Sequence, residues 1–330
     1  MKVGLDVYTI RELGLSPLGA LEYAKQHGFD GVQFETITTL CHGGLNRDEL
    51  RKFKQTADNM GLYTFVSVER INPLLFEHGT RKDLVDELKS QIEFAAFAGW
   101  HELRSEMGLL KHRKANPADW GRHLAASESV LRELVPVLKE NKSRINIEIH
   151  TDSTSFEVLS IVEAIGSDVA GINLDTGNIL LHGEFPPEVA KRVAPYTHLV
   201  HAKDVLVFEH ERGYLRQGCA PGRGMVDFHL MLDELYRYNP NICLSIEDHK
   251  NLFTVPVFEH DWYEDHPDAS AYEIANILNE AKRTSWRLRN KELQDCDDYE
   301  EIPYVEQMED RLGFGLAYLK ELVKNLGYYN

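Results

Sequence analysis

The chain has 330 residues, 43% hydrophobic and 27% charged, which is ordinary for a globular protein with a large core. Its formal net charge of -17 argues against a nucleic-acid binder, because phosphate binding depends on Lys and Arg. The four cysteines form no CxxC pair, so neither a zinc ribbon nor a disulfide scaffold is indicated. Asp6 interrupts the first apolar run, and no apolar stretch could span a bilayer. We therefore expect a soluble, cytoplasmic protein without membrane contacts.

Strand-like and helix-like segments alternate along the first 250 residues. The predicted strands are 3–9, 31–36, 63–69, 101–107, 145–150, 171–175, 197–202 and 241–247. The predicted helices between them are 17–27, 46–60, 81–98, 116–140, 153–165, 187–193 and 227–238. Strict alternation implies parallel strands with crossover helices, and eight repeats imply a closed (β/α)8 TIM barrel. An open doubly wound sheet is the alternative, but no GxGxxG follows the first strand.

The pattern breaks twice in the second half of the chain. A glycine-rich segment from about 204 to 226 is predicted to be a long loop, and 249–305 is predicted to be an insertion. An amphipathic helix over 307–325 then supplies the last barrel helix. We expect a single domain over 1–330, in which the insertion after the eighth strand forms a lid over the mouth.

The last four predicted strands each end in a residue that can bind a divalent cation. These residues are Glu148, Asp175, His201 and Glu247. A polar group that ends an apolar strand is costly unless it meets a metal, a partner or water. Each residue alone is explained by an ion pair or a strand cap, but a barrel brings all four ends to one mouth. Three carboxylates and an imidazole suit one divalent metal ion, for which we prefer Mn over Mg, Co or Zn.

Longer motifs surround these four positions. They are Asp175-Thr-Gly-Asn178, His201-Ala-Lys-Asp204, and Gly222-Arg-Gly224 with Asp227. Together with Glu148 and Glu247, they resemble the xylose-isomerase-like barrels of the sugar phosphate isomerase/epimerase family, over roughly 1–250 and 305–325. The resemblance implies that the four residues bind one metal and that the two glutamates move substrate protons. Endonuclease IV, on the same barrel, has a histidine where this chain has Asn178, so we expect no nuclease.

Other polar residues near the strand ends are candidates for catalysis or substrate binding. His150 follows Glu148 by two and lies on the same strand face, as a general base or as a histidine that orients Glu148. Asn178 is expected to bind a substrate hydroxyl or to cap a turn. The remaining predicted substrate contacts are Lys203, Arg216 and His182, for which an ion pair, a surface position and a solvated loop are the respective alternatives, and His249, which follows Glu247 by two.

The expected substrate is a sugar or an oxidised sugar, either a keto-sugar or a sugar acid. The metal polarises a carbonyl, proton removal next to it gives an enediolate, and reprotonation completes isomerisation or epimerisation. A lyase is the alternative, either a 3-oxo-sugar-acid decarboxylase or the barrel subunit of a C-glycoside deglycosidase. A non-catalytic scaffold is a third hypothesis. We expect a homo-oligomer, or a hetero-oligomer with a small partner subunit.

Overall fold

The computed structural model describes residues 1–40, 46–115 and 119–326. Within these ranges the strands are β1 (Lys2–Asp6), β2 (Gly31–Thr36), β3 (Tyr63–Ser67), β4 (Glu102–Ser105), β5 (Arg144–Glu148), β6 (Ala170–Asp175), β7 (Thr197–Ala202), β8 (Asp204–His210), β9 (Gly213–Cys219), β10 (Cys243–Ile246) and β11 (Leu252–Val255). Eight parallel strands close in the order β1-β10-β7-β6-β5-β4-β3-β2. Because β1 pairs with both β2 and β10, the ring has no free edge. The predicted (β/α)8 barrel is confirmed.

The helices of the described ranges surround this ring or lie in the segment that follows its last strand. They are α1 (Pro17–Gln26), α2 (Ile37–Leu40), α3 (Arg47–Asn59), α4 (Arg81–Ala98), α5 (Leu110–Ala115), α6 (Trp120–Asn141), α7 (Ser155–Ile165), α8 (Pro186–Val193), α9 (Phe228–Tyr238), α10 (His260–Glu264), α11 (Ala271–Arg289), α12 (Cys296–Glu301) and α13 (Tyr304–Asn325). The helix start predicted at residue 116 lies outside the described residues. No helix of the described part is long and apolar enough to cross a membrane.

Local sequence signals set the bounds of α4. The Thr80 side chain accepts a hydrogen bond from the Asp83 N–H, and the Asp83 carboxylate accepts one from the Thr80 N–H. Such a cap is worth about 1 kcal/mol. At the other end Gly99 has φ +105°, a conformation that favours glycine. Buried side chains at helical spacing, including Leu84 and Leu88, pack this helix into the core.

The strands divide their two faces between the barrel interior and the helix layer. In β5, Ile145 and Ile147 alternate with Asn146 and Glu148, and all four are buried. Alternation places the two polar side chains on the opposite face from the isoleucines. The Asn146 amide donates to Leu103 O and to Glu102 of the neighbouring strand β4. The interior is therefore polar enough to carry a functional site at its open end.

The prediction of a long loop after β7 was wrong. Strands β8 and β9 form an antiparallel hairpin, and β11 adds a third strand beside β9. Gly213 at the hairpin turn has φ +148°, and a side chain there would meet the backbone of Val255. The glycines that suggested a loop therefore serve a tight turn and close backbone packing, while the continuous apolar run of β8, Val205 to Phe208, forms the strand.

The segment between β10 and α13 packs beside this hairpin. Helix α11 lies along β8, where the Glu209 N–H donates to Ser285 Oγ at 2.7 Å. Helix α13 packs against β1, α9 and β10, in the position of the last barrel helix. Its Arg311 binds the buried Asp248 carboxylate just beyond β10, at 2.7 Å and 2.5 Å. The lid role of 249–305 stays a prediction.

Candidate active site

The barrel brings the four predicted metal ligands together at the carboxyl ends of its strands. Each offers a ligand atom within 4.8 Å of the others, and all four side chains are buried. His201 Nδ1 lies 3.2 Å from Glu148 Oε1 and 2.7 Å from Glu247 Oε2. Asp175 ends β6 and completes the group. Residues separated by up to 99 positions in the chain thus form one cluster, as a barrel mouth requires.

Two cations offset the charge of these carboxylates. Lys203 Nζ lies 2.8 Å from Asp175 Oδ2 and 3.1 Å from Glu247 Oε1. Arg104, at the end of β4, forms an ion pair with Glu148. Burial by itself raises the pKa of both glutamates, but these cations and His201 outweigh it and hold each pKa below its usual range. Both glutamates are therefore carboxylates at neutral pH.

The residues present fit a divalent cation. Three carboxylates and one imidazole offer the oxygen and nitrogen donors that such ions prefer. Glu247 Oε2 at 2.7 Å and Glu148 Oε1 at 3.2 Å both face His201 Nδ1, which carries at most one proton, so these two buried oxygens share a single donor. A buried carboxylate oxygen without a donor is costly, and a bound cation would remove that cost. The cluster is therefore a candidate metal site.

The far side of the His201 ring contacts two residues that the sequence analysis missed. Gln33 Nε2 lies 2.6 Å from His201 Nε2, and Asp6 Oδ2 lies 3.5 Å from the same atom. Gln33 Oε1 has no partner among the described residues. If the amide is turned by 180°, Oε1 accepts the Nε2 proton and leaves Nδ1 able to bind a metal. Asp6 ends the apolar strand β1, the same signal that identified the four ligands.

Asn178 and Arg216 lie behind the cluster. The Asn178 amide donates to Asp175 Oδ2 at 2.7 Å, and the N–H groups of Gly177 and Asn178 donate to Asp175 Oδ1. Arg216 lies on β9, is fully buried, and donates to Asn251. Its Nη2 is 3.4 Å from Asn178 Oδ1. Both predicted substrate contacts are thus engaged with protein groups that hold the site together.

The three predicted histidines occupy different surroundings. His249 Nδ1 accepts from Asn251 at 2.8 Å, and its Nε2 is 3.5 Å from Glu247 Oε1. His182 is buried and pairs with His266 of the insertion at 2.9 Å. His150 Nδ1 lies 3.2 Å from Gly108 O. Burial lowers the pKa of His150, but Glu148 and Glu106 outweigh it and raise the value to about 10.

A line of ion pairs leads outward from Glu148. Arg104, which pairs with Glu148, also donates to Glu106 Oε2 at 2.7 Å. Glu106 Oε1 accepts from Arg70 Nη2 at 2.6 Å. The sequence analysis did not identify these residues, because one charged residue at or after a strand end does not reveal its partner. The structure links them to a candidate metal ligand.

Comparison with known proteins agrees with this geometry. Residues 21–279 match the model of the xylose isomerase-like TIM barrel family, and the chain belongs to that family. The resemblance found in the sequence is therefore confirmed.

Particular relatives are sugar-processing enzymes. The chain is 24% identical over 254 residues to the 3-oxo-isoapionate decarboxylase of Pectobacterium atrosepticum, which covers 75% of this chain and 85% of that protein. It resembles the structure of the 3-keto-D-glucoside 4-epimerase from E. coli, with a TM-score of 0.56, 16% identity, and coverage of 83% and 99%. It also resembles the D-psicose 3-epimerase from Clostridium cellulolyticum H10, with a TM-score of 0.58, 13% identity, and coverage of 86% and 99%. The two structural likenesses show the fold.

Proposed function

We propose that the protein is a divalent-metal-dependent isomerase or epimerase of a sugar or an oxidised sugar. The observation that carries this proposal is the buried group of Glu148, Asp175, His201 and Glu247. In this group the two ionised glutamates both contact His201 Nδ1. Two carboxylates at one site can remove a proton and return it. The expected substrate is a small molecule, and a homo-oligomeric assembly stays a prediction.

The four residues would hold one metal ion, with Mn preferred. A divalent ion bound there supplies a Lewis acid that polarises a substrate carbonyl. Glu148 or Glu247 would take the proton from the carbon next to that carbonyl, which gives an enediolate. The other glutamate would then donate a proton and set the new configuration. Lys203 and Arg104 keep both carboxylates ionised, which is the form that accepts a proton.

The test is deuterium exchange in heavy water, followed by proton NMR. With MnCl₂ present, D-fructose, D-psicose, D-tagatose and 3-oxo sugar acids are incubated with wild-type protein and with Glu148→Gln or Glu247→Gln. We expect exchange next to the carbonyl of one substrate class, and loss of nearly all of it in either variant. Glu163→Gln, on the exposed side of α7, is the matched control and should stay active.

Full activity of either site variant at saturating Mn would contradict the assignment. Metal analysis of the purified protein gives an independent check. A protein that neither contains nor binds a divalent ion would favour the non-catalytic scaffold.

A lyase is the second candidate, specifically a decarboxylase of a 3-oxo sugar acid. The relative from Pectobacterium atrosepticum is named as a decarboxylase. Loss of carbon dioxide from such an acid gives the same enediolate without removal of a carbon-bound proton, so neither glutamate would have to act as a base in that step. Release of carbon dioxide from a 3-oxo sugar acid, without exchange into the plain ketohexoses, would decide for the lyase.

A further inference from the structure

We propose that Arg70 binds a carboxylate of the substrate, so that the enzyme acts on sugar acids rather than on neutral sugars. This inference rests on the proposed function and names the substrate class for it. It concerns the recognition of the substrate and not the reaction step.

Arg70 has a fixed position at the mouth. It follows β3 and is joined to Glu106 at 2.6 Å, while Glu106 is joined to Arg104 at 2.7 Å and Arg104 to Glu148. Charge-assisted bonds of this kind hold both partners in a defined geometry. A substrate carbonyl at the candidate metal site would therefore have Arg70 at a constant distance along the β3–β5 side of the mouth.

Arg70 also has unused binding capacity. A guanidinium offers five N–H donors, and Glu106 occupies only Nη2 of Arg70. Its Nε is buried without an acceptor among the residues that the structure describes, so Nη1 is the donor that a ligand in the mouth would use first. Arg104, in contrast, is bound to both Glu148 and Glu106, and Arg216 is fully buried. The Arg70 side chain is 27% exposed, against 18% for Arg104, so a ligand in the mouth can reach it.

His112 supplies a second donor near Arg70. Its Nδ1 accepts the Leu109 N–H at 3.0 Å, so the neutral ring carries its proton on Nε2. Burial and then the nearby charge of Arg70 lower the pKa of His112, which keeps the ring neutral. The unoccupied N–H groups of Arg70 supply the single positive charge and the paired donors that a carboxylate takes, and His112 Nε2–H is a further donor close to that charge. A doubly charged phosphate would need further donors.

The test compares acids with the corresponding alcohols as ligands. Binding of D-gluconate, D-xylonate, D-glucitol and xylitol to the Mn-saturated protein is measured by calorimetry. We expect the Arg70→Gln variant to bind both acids about 10- to 100-fold more weakly, because a hydrogen bond between charged groups is lost. Binding of the two alcohols should be unchanged. Arg70→Lys keeps the charge without the fork, and it should lose less affinity than Arg70→Gln.

Controls separate this inference from the proposed function. Arg81→Gln removes an exposed arginine that pairs with Glu133 on the helix layer, and it should bind all four compounds like wild type. If acids and alcohols bind only with Mn but Arg70→Gln leaves the acids unaffected, this inference is wrong and the proposed function stands. If D-glucitol 6-phosphate, and not D-gluconate, depends on Arg70, the site takes phosphate and the carboxylate assignment is wrong. If no compound binds with or without Mn, both are contradicted.

Discussion

The Gln33→Leu substitution should weaken metal binding without changing any of the four candidate ligands. Gln33 is fully buried, and its amide lies 2.6 Å from His201 Nε2. A metal on His201 Nδ1 requires that the ring proton sits on Nε2 and finds an acceptor. Gln33 Oε1, which is otherwise without a partner among the described residues, is the acceptor that a rotated amide provides.

The size of the effect follows from the acceptors that remain. Without the Gln33 amide, the Nε2 proton faces Asp6 Oδ2 at 3.5 Å, which is too long for a good hydrogen bond. A buried donor without an acceptor costs about 1–3 kcal/mol. Because about 1.4 kcal/mol is tenfold in affinity, we expect the dissociation constant for Mn or Zn to rise about 5- to 150-fold.

The assay is a competition titration of metal-free protein against a chromophoric chelator. Gln33→Glu is the informative companion variant, because a carboxylate also accepts the Nε2 proton, and it should bind metal at least as well as wild type. Gln217→Leu is the control. Gln217 is also buried, but it bonds to Cys296 O and Glu300 of the insertion, so its loss should leave metal affinity unchanged.

Wild-type affinity in a folded Gln33→Leu protein would refute this reasoning. Thermal unfolding of the metal-free variants verifies that they are folded. Equal losses in Gln33→Leu and Gln33→Glu would likewise show that Gln33 acts through packing and not as a hydrogen-bond acceptor.

Three other outcomes are expected. Because its pKa is raised to about 10, His150 is protonated at neutral pH and can act as a general acid but not as a base; His150→Gln should therefore lose about 10²–10⁴-fold in turnover with its metal content intact, and rescue by excess Mn would instead assign His150 to orienting Glu148. The Arg311→Met variant leaves Asp248 buried without its cation, and urea unfolding should show a loss of about 3–5 kcal/mol. Burial chiefly lowers the pKa of His266 from 6.5 to about 4, so its contribution to stability is present above pH 6.5 and falls towards pH 4. Between pH 7 and 5, urea unfolding of wild type should therefore lose up to about 2 kcal/mol more than that of His266→Gln, and equal losses would contradict the assignment.

The sequence determined the repeating unit of this protein and the positions of its candidate ligands. Local patterns predict the strands and helices. Examples are the apolar runs that end at Glu148 in β5 and at Asp175 in β6. A residue at the end of a strand must lie at the mouth once the barrel closes, because all parallel strands point the same way. Asp6 also ends an apolar strand, so the same rule could have placed it at the mouth from the sequence.

Only the tertiary structure decided which side chains meet there. Gln33 reaches His201 across 168 positions of the chain, and Arg104 reaches Glu148 across 44. The strands β8 and β9 could not be predicted from the sequence either. Antiparallel pairing depends on a partner strand, and the glycines of this segment favoured a loop. The spacing of apolar residues and the capping of helices depend on residues close together in the chain. Charge pairing depends on groups that only barrel closure brings together. The sequence therefore locates the site, and the closed barrel assigns each charged residue its partner.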